Sequence, residues 1–111
     1  MKQLSGHDLL RLHTDPVAAA PLLLDVREPW EVELAAIRID GSTTLHMPMN
    51  AMARRLGELD AAQPVVCICH HGVRSAQVVA FLERHGFDAV YNLAGGIDAW
   101  SAQVDSGVPR Y

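Results

Sequence analysis

Apolar and polar positions fall into blocks along this chain, and the period changes from block to block. Ser5 followed three residues later by Asp8 opens a helix whose apolar face is Leu9, Leu10 and Leu12. That helix ends before Asp15-Pro16, since proline disfavours helical geometry in the residue preceding it. Leu22-Leu23-Leu24-Asp25-Val26 predicts a short buried strand. Pro29 suits a helix's first turn, and Trp30 to Ala36 continue that helix with Glu31 and Glu33 near its positive end. Asp40-Gly41-Ser42 signals a turn, and Thr43 to Met47 form a strand that Pro48 stops. Asn50 to Leu59 reads as a helix, with Met52, Leu56 and Leu59 on one side and Arg54 and Arg55 facing outward.

The second half repeats the alternation. Val65-Val66-Cys67-Ile68-Cys69 is a continuous apolar run, the usual form of a central parallel strand. His70 to Arg74 has no periodicity and reads as a loop. Ser75 to His85 is a helix with Val78, Val79 and Leu82 buried, and Gly86 suits the position just past its end. Ala89 to Leu93 is another strand, Gly95-Gly96 turns the chain into a short helix around Trp100, and Asp105 to Tyr111 is irregular. Strands alternating with helices predict an α/β fold, an open and mostly parallel sheet with helices on both faces. Such sheets bind ligands at the carboxyl ends of their strands, which is where the segment after Cys69 lies.

Composition narrows the picture. A chain of 111 residues, half of them hydrophobic and a fifth charged, is sized for a single domain over 1–111 with a true core. A net charge of −4 argues against nucleic acid as the main partner. No apolar run reaches the roughly 20 residues that span a bilayer. The longest, Val17 to Leu24, is broken by Pro21. The amino-terminal stretch has no long apolar region of the kind found in signal peptides. Cys67 and Cys69, two apart on one face of an extended segment, are poorly placed to pair. A reducing, cytoplasmic setting follows as the default expectation.

The chemistry concentrates in Cys69-His70-His71-Gly72-Val73-Arg74-Ser75. A cysteine ends a buried strand, a short loop follows, and a helix begins. Consecutive loop N–H groups can converge on an anion, and the helix adds its positive end. Gly72 permits a backbone conformation most residues resist, and Arg74 brings a fixed positive charge. All of these favour a thiolate over a thiol and would equally hold an anionic group bonded to that sulfur. Against this, a buried free cysteine is commonly a small hydrophobe, and that reading is preferred for Cys67, inside the strand. A zinc site is disfavoured, because no second Cys or His cluster has suitable spacing. His70 and His71, each taken alone, read as exposed loop residues; together they can hydrogen-bond an entering anion. Asp25, Arg27 and Glu28 follow the first long strand and read first as a salt-bridge network holding loops, with Asp25 and Arg27 as possible supports of the site. Trp30 and Trp100 read as core or rim packing.

These residues resemble a known family. Leu24-Asp25-Val26-Arg27-Glu28, His46-Met47-Pro48, the Cys69–Ser75 loop with its Cys-x-x-Gly-x-Arg-Ser pattern, and Asn92-Leu93-Ala94-Gly95-Gly96 with Trp100 downstream together resemble a single-domain rhodanese over nearly the whole chain. Family members often carry His-Ile-Pro-Gly-Ala where this chain has Arg38-Ile39-Asp40-Gly41-Ser42, so only the glycine is kept. The resemblance implies a rhodanese-like sulfurtransferase with thiosulfate:cyanide activity. Cys69 would be the nucleophile, carrying a persulfide cradled by His70, His71, Gly72, Val73, Arg74 and Ser75. It implies a small anionic sulfur donor, an acceptor that is a thiol, cyanide or a protein, and no metal or organic cofactor. Three alternatives stand beside it. One is a persulfide carrier or non-catalytic binding module. Another is a redox sensor using Cys69. The last is a small phosphatase of related fold, disfavoured because four residues rather than five separate Cys69 from Arg74.

Overall fold

The computed structural model describes residues 2–15 and 20–111. Pro16 and the first part of the apolar run from Val17 lie outside the described residues. Five strands, β1 (Gln3–Leu4), β2 (Leu22–Asp25), β3 (Thr44–His46), β4 (Val65–Ile68) and β5 (Val90–Leu93), form one sheet in the order β1-β5-β4-β2-β3. Every pairing is parallel. β4 is central, with Cys67 opposite Leu24 on one side and Asn92 on the other.

Side chains alternate between the two faces of the sheet, as the two-residue strand period requires. One face sends Leu22, Leu24, Val65 and Cys67 into a core with Val78, Val79 and Leu82 of α4 (Val73–Arg84) and Met52 of α3 (Met52–Arg55). The other buries Leu23, Val66, Ile68 and Leu93 against Leu9 of α1 (Gly6–Thr14) and Ile97 and Trp100 of α5 (Gly96–Gln103). Covering both faces explains why β2 and β4 are buried at every position, and why β4 and the first three residues of β2 read as unbroken apolar runs. Among the described residues, no helix is long and apolar enough to cross a membrane.

Local chemistry accounts for the helix starts. Ser5 accepts from the Asp8 amide and the Asp8 carboxylate accepts from the Ser5 amide, a reciprocal capping box. Gly86, with φ +87°, follows the end of α4 as expected. The chain turns at Gly41, also left-handed with φ +85°, so the glycine kept in the departing Arg38–Ser42 stretch is the one the turn requires. The imidazole of His13 braces that turn through the Ser42 hydroxyl and the Asp40 carbonyl.

Beyond shifts of a residue at strand and helix ends, three helices differ from the sequence expectation, and the strand β1 is absent from it. β1 is two residues long, too short to carry a period. The helix α2 (Pro29–Leu34) stops before Ala36, because Ala35 is extended and gives its carbonyl to Arg27 at 2.7 Å. The helix expected over Asn50–Leu59 is instead a 3-10 turn (Met49–Ala51), the single turn α3 and a second 3-10 turn (Leu56–Glu58). Its first residue is tied to the end of β2 through Met49 N–H to Val26 O, and Gly57 weakens its last turn. α4 begins at Val73 rather than Ser75, because Gly72 is the left-handed residue that caps it.

Arg27 is fully buried and so is Asp25. Two parallel bonds at 2.9 and 2.6 Å join them. Removing one partner of a buried pair strands the other charge, at a typical cost of about 3–5 kcal/mol. Arg27→Ala should therefore lower unfolding free energy by about that amount in urea titration, and a loss below about 1 kcal/mol would show the pair to be dispensable.

Candidate active site

Cys69 directly follows the last residue of β4 and is 1% exposed. Its Sγ accepts the Gly72 N–H at 3.0 Å and lies 3.2 Å from Ser75 Oγ. Gly72 has φ +98°, a conformation an L side chain adopts only with strain, and it delivers that N–H back toward the sulfur. α4 starts immediately after, so its positive end faces the same region.

The loop is held from behind. The Ile97 and Asp98 amides at the start of α5 donate to the carbonyls of Cys69 and His70 at 2.9 and 3.1 Å. Gly95 and Gly96 are both left-handed, which brings α5 this close. A Cβ on Gly96 would lie 2.5 Å from the Cys69 carbonyl oxygen, so no side chain fits there.

Arg74, in the first turn of α4, forks onto the Glu31 carboxylate at 2.5 and 2.8 Å. The Arg74 bonds, with help from Tyr111 and the Glu28 amide, hold the buried Glu31 carboxyl down at about 2 despite its desolvation. The same fork raises Arg74 above its ordinary value. Tyr111 donates its hydroxyl to Glu31 at 2.7 Å and accepts from Arg27 at 2.9 Å. Burial foremost pushes the Tyr111 phenol up to about 12, so it stays protonated and remains a donor. Asp25 and Arg27 thus belong to the structural network foreseen for them and reach the loop's surroundings through Tyr111 and the Glu31 carbonyl.

His70 is not the exposed loop residue its position alone suggested. Its ring is sandwiched between His71, 3.9 Å away, and Tyr111, 4.0 Å away and nearly parallel. Its Nε2 is buried, with no hydrogen-bond partner among the described residues. His71 is exposed, with Nδ1 3.9 Å from Asp98 Oδ2. Val73 is 69% exposed, and Trp30 forms an exposed rim with its ring edge-on to Tyr111. Trp100 lies in the core. Cys67 is buried and unpaired, and burial, then the nearby Cys69, pushes its thiol up to about 12. Burial thus favours its protonated thiol form near neutral pH.

A family model described as the rhodanese-like domain matches residues 7–103. The chain belongs to the rhodanese-like domain family. It is 42% identical over 64 residues to a thiosulfate sulfurtransferase GlpE of Actinobacillus pleuropneumoniae serotype 3, covering 58% of this chain and 56% of that protein. The chain thus spans about half the length of that curated relative. It is 30% identical over 96 residues to the thiosulfate sulfurtransferase GlpE of Vibrio cholerae serotype O1 (strain O395), covering 80% and 87%. A crystallised rhodanese-like domain protein from Staphylococcus aureus superposes with a TM-score of 0.74 at 28% identity, covering 100% of this chain and 99% of that one.

Within this rhodanese-like fold the sequence reading located the loop but assigned no site role to Glu31, Asn92, Gly96 or Tyr111. Glu31 reads locally as a first-turn acid, and its partner is 43 residues away. Asn92 and Gly96 sit in the segment that carried the family resemblance, which marked them without explaining them. Nothing local marks Tyr111.

The Glu31 carboxyl is held below its ordinary 4.5, so its ionised form stabilises the fold above that pH. The contribution is lost as pH falls from about 4.5 toward about 2. Unfolding free energy should drop across this window by up to about 1.4 kcal/mol per pH unit from this group. Glu31→Gln should flatten the acid limb, and an unchanged slope would mean the fork to Arg74 contributes nothing.

Proposed function

We propose that residues 1–111 act as one rhodanese domain transferring sulfane sulfur through a Cys69 persulfide. The observation that carries the reading is the buried Sγ with the Gly72 N–H aimed at it from 3.0 Å under the start of α4. A buried sulfur supplied with a backbone N–H donor and the positive end of a helix is an environment suited to negative charge, whether on a thiolate or on a persulfide. The Cys69 thiolate attacks the outer sulfur of an anionic donor such as thiosulfate. A new S–S bond forms, the donor's S–S bond breaks, and sulfite leaves with the electron pair. A nucleophilic acceptor, which is cyanide in an assay and a thiol or a protein otherwise, then attacks the outer sulfur and releases the Cys69 thiolate. No net oxidant or reductant enters. The loop from His70 to Ser75 surrounds the sulfur during both steps. The relatives' printed names, thiosulfate sulfurtransferase in two organisms, support thiosulfate as the donor to try first.

A phosphatase would need its arginine to grip a phosphate. Arg74 instead spends its fork on Glu31, which weighs against that use.

Incubation with thiosulfate should add one sulfur atom to the peptide carrying Cys69, and cyanide should remove it with release of thiocyanate. Mass spectrometry reads both half-reactions. Cys69→Ser should reduce transfer to background while keeping the fold, and Cys67→Ser should keep most activity. A folded, reduced protein that gains no sulfur would rule out thiosulfate as donor and favour a carrier loaded by another protein. Equal damage from both cysteine changes, with the fold intact, would overturn the assignment of roles.

A further inference from the structure

The hydrogen-bond inventory behind Cys69 assigns a proton. Asn92, on β5, is 3% exposed. Its side-chain nitrogen donates to the Gly72 carbonyl at 3.0 Å and to Gln3 Oε1 at 3.2 Å. A backbone carbonyl can only accept, so the atom facing Gly72 is the amide nitrogen and the amide oxygen points the other way. That oxygen lies 2.5 Å from Ser75 Oγ. An amide oxygen cannot donate, so the Ser75 hydroxyl must. Ser75 has one hydroxyl proton, and its oxygen is also 3.2 Å from Cys69 Sγ. While Asn92 holds the proton, Ser75 offers the sulfur a lone pair, which suits an S–H and opposes a thiolate. The Gly72 N–H acts in the contrary sense.

We propose that Asn92 is a positioning residue that withholds the Ser75 proton from Cys69, so that Ser75 donates to the sulfur only when negative charge on it is strong enough to win that proton from the amide. When Cys69 gives its proton to solvent, the Ser75 hydroxyl rotates from Asn92 Oδ1 to Sγ, and the buried amide oxygen is left without a donor. The S–H bond breaks, its proton passes to water and its electron pair stays on sulfur; apart from that, only these hydrogen bonds change. Both groups are buried, so water does not blur the competition. The inference deepens the proposed sulfur-transfer reading and rests on it only for its biological meaning.

Among the described residues, the other titratable and charged groups on the elements packed about the loop include Cys67 on β4, Asp25 at the end of β2 with Arg27, His70 and His71 in the loop, Arg74 on α4 with Glu31 of α2 and Tyr111 behind it, and Asp98 with Arg110 beside α5. They are common to every variant below, so their effect on pH cancels. The readout is the rate of Cys69 alkylation by iodoacetamide against pH, followed on the Cys69 peptide. Alkylation needs no sulfur transfer, so it stands or fails separately from the thiosulfate experiment.

Asn92→Leu frees the Ser75 proton and should move the alkylation midpoint to lower pH by about one unit, a roughly ten-fold change in the ionisation equilibrium. Losing the Asn92–Gly72 bond also disturbs the loop, so the same change is made beside Ser75→Ala. There the midpoint should match that of Ser75→Ala alone. A midpoint that stays or rises in Asn92→Leu, or one that falls equally with and without Ser75, would overturn the proposal. Ser75→Ala by itself provides a measurement should Asn92→Leu fail to fold. Because the proton is withheld, deleting the hydroxyl should move the midpoint by less than about half a unit. A rise of about one unit would mean that Ser75 donates freely to the sulfur, and Asn92 would have no such role.

Discussion

Two backbone hydrogen bonds, from the Ile97 and Asp98 amides to the Cys69 and His70 carbonyls, fix the functional end of this sheet. They use N–H groups at the start of α5 that have no partner within their own helix, and carbonyls that leave the ladder once β4 has ended. Both sets would otherwise be costly to bury. Because the carbonyls are tied to α5, the chain beyond them can turn back at Gly72 and aim its next N–H at the sulfur. The close approach explains why Gly96 carries no side chain and why the sulfur is fixed relative to a rigid central strand. It also makes β4, the loop, α4 and α5 one mechanical unit.

Around this unit the charges are arranged in pairs. Asp25 and Arg27 satisfy each other inside the fold, and Arg27 spends its remaining donors on the Ala35 and Glu31 carbonyls and on Tyr111. Glu31 divides its carboxylate between Arg74 and Tyr111. Buried charge is tolerated only when it is this fully partnered. The network joins α2, α4 and the carboxyl-terminal segment. It leaves Arg74 beside the sulfur yet compensated by Glu31, so much of the local preference for negative charge falls to backbone dipoles. Those dipoles do not move, and so need no reorganisation when charge appears on the sulfur.

The two cysteines show how position decides chemistry for one residue type. Both lie on the same sheet face within one core. Cys67 is still inside the ladder, where its neighbours are apolar side chains and burial suppresses its ionisation. Cys69 is one residue beyond the ladder, where the backbone becomes free to turn and present donors. Two positions along the chain separate a thiol enclosed by apolar side chains from one that meets a backbone donor.

The sequence by itself determined the alternation of strands and helices, the central place of the run ending at Cys69, the strand-end location of the loop, and the separate positions of the two cysteines, one inside the strand and one at its end. These depend on period, on breakers such as Pro48 and Gly86, and on the Cys69–Ser75 pattern, all of which act within a few residues. Only the tertiary structure decided that Gly72 rather than Ser75 marks the start of α4, that Arg74 faces Glu31, that Tyr111 stacks on His70, and that Asn92 reaches Ser75. The partners in those three contacts lie 43, 41 and 17 residues apart. Side-chain hydrogen bonds and ring contacts across such separations depend on which strands are neighbours and in what register, and no local pattern of residues encodes that.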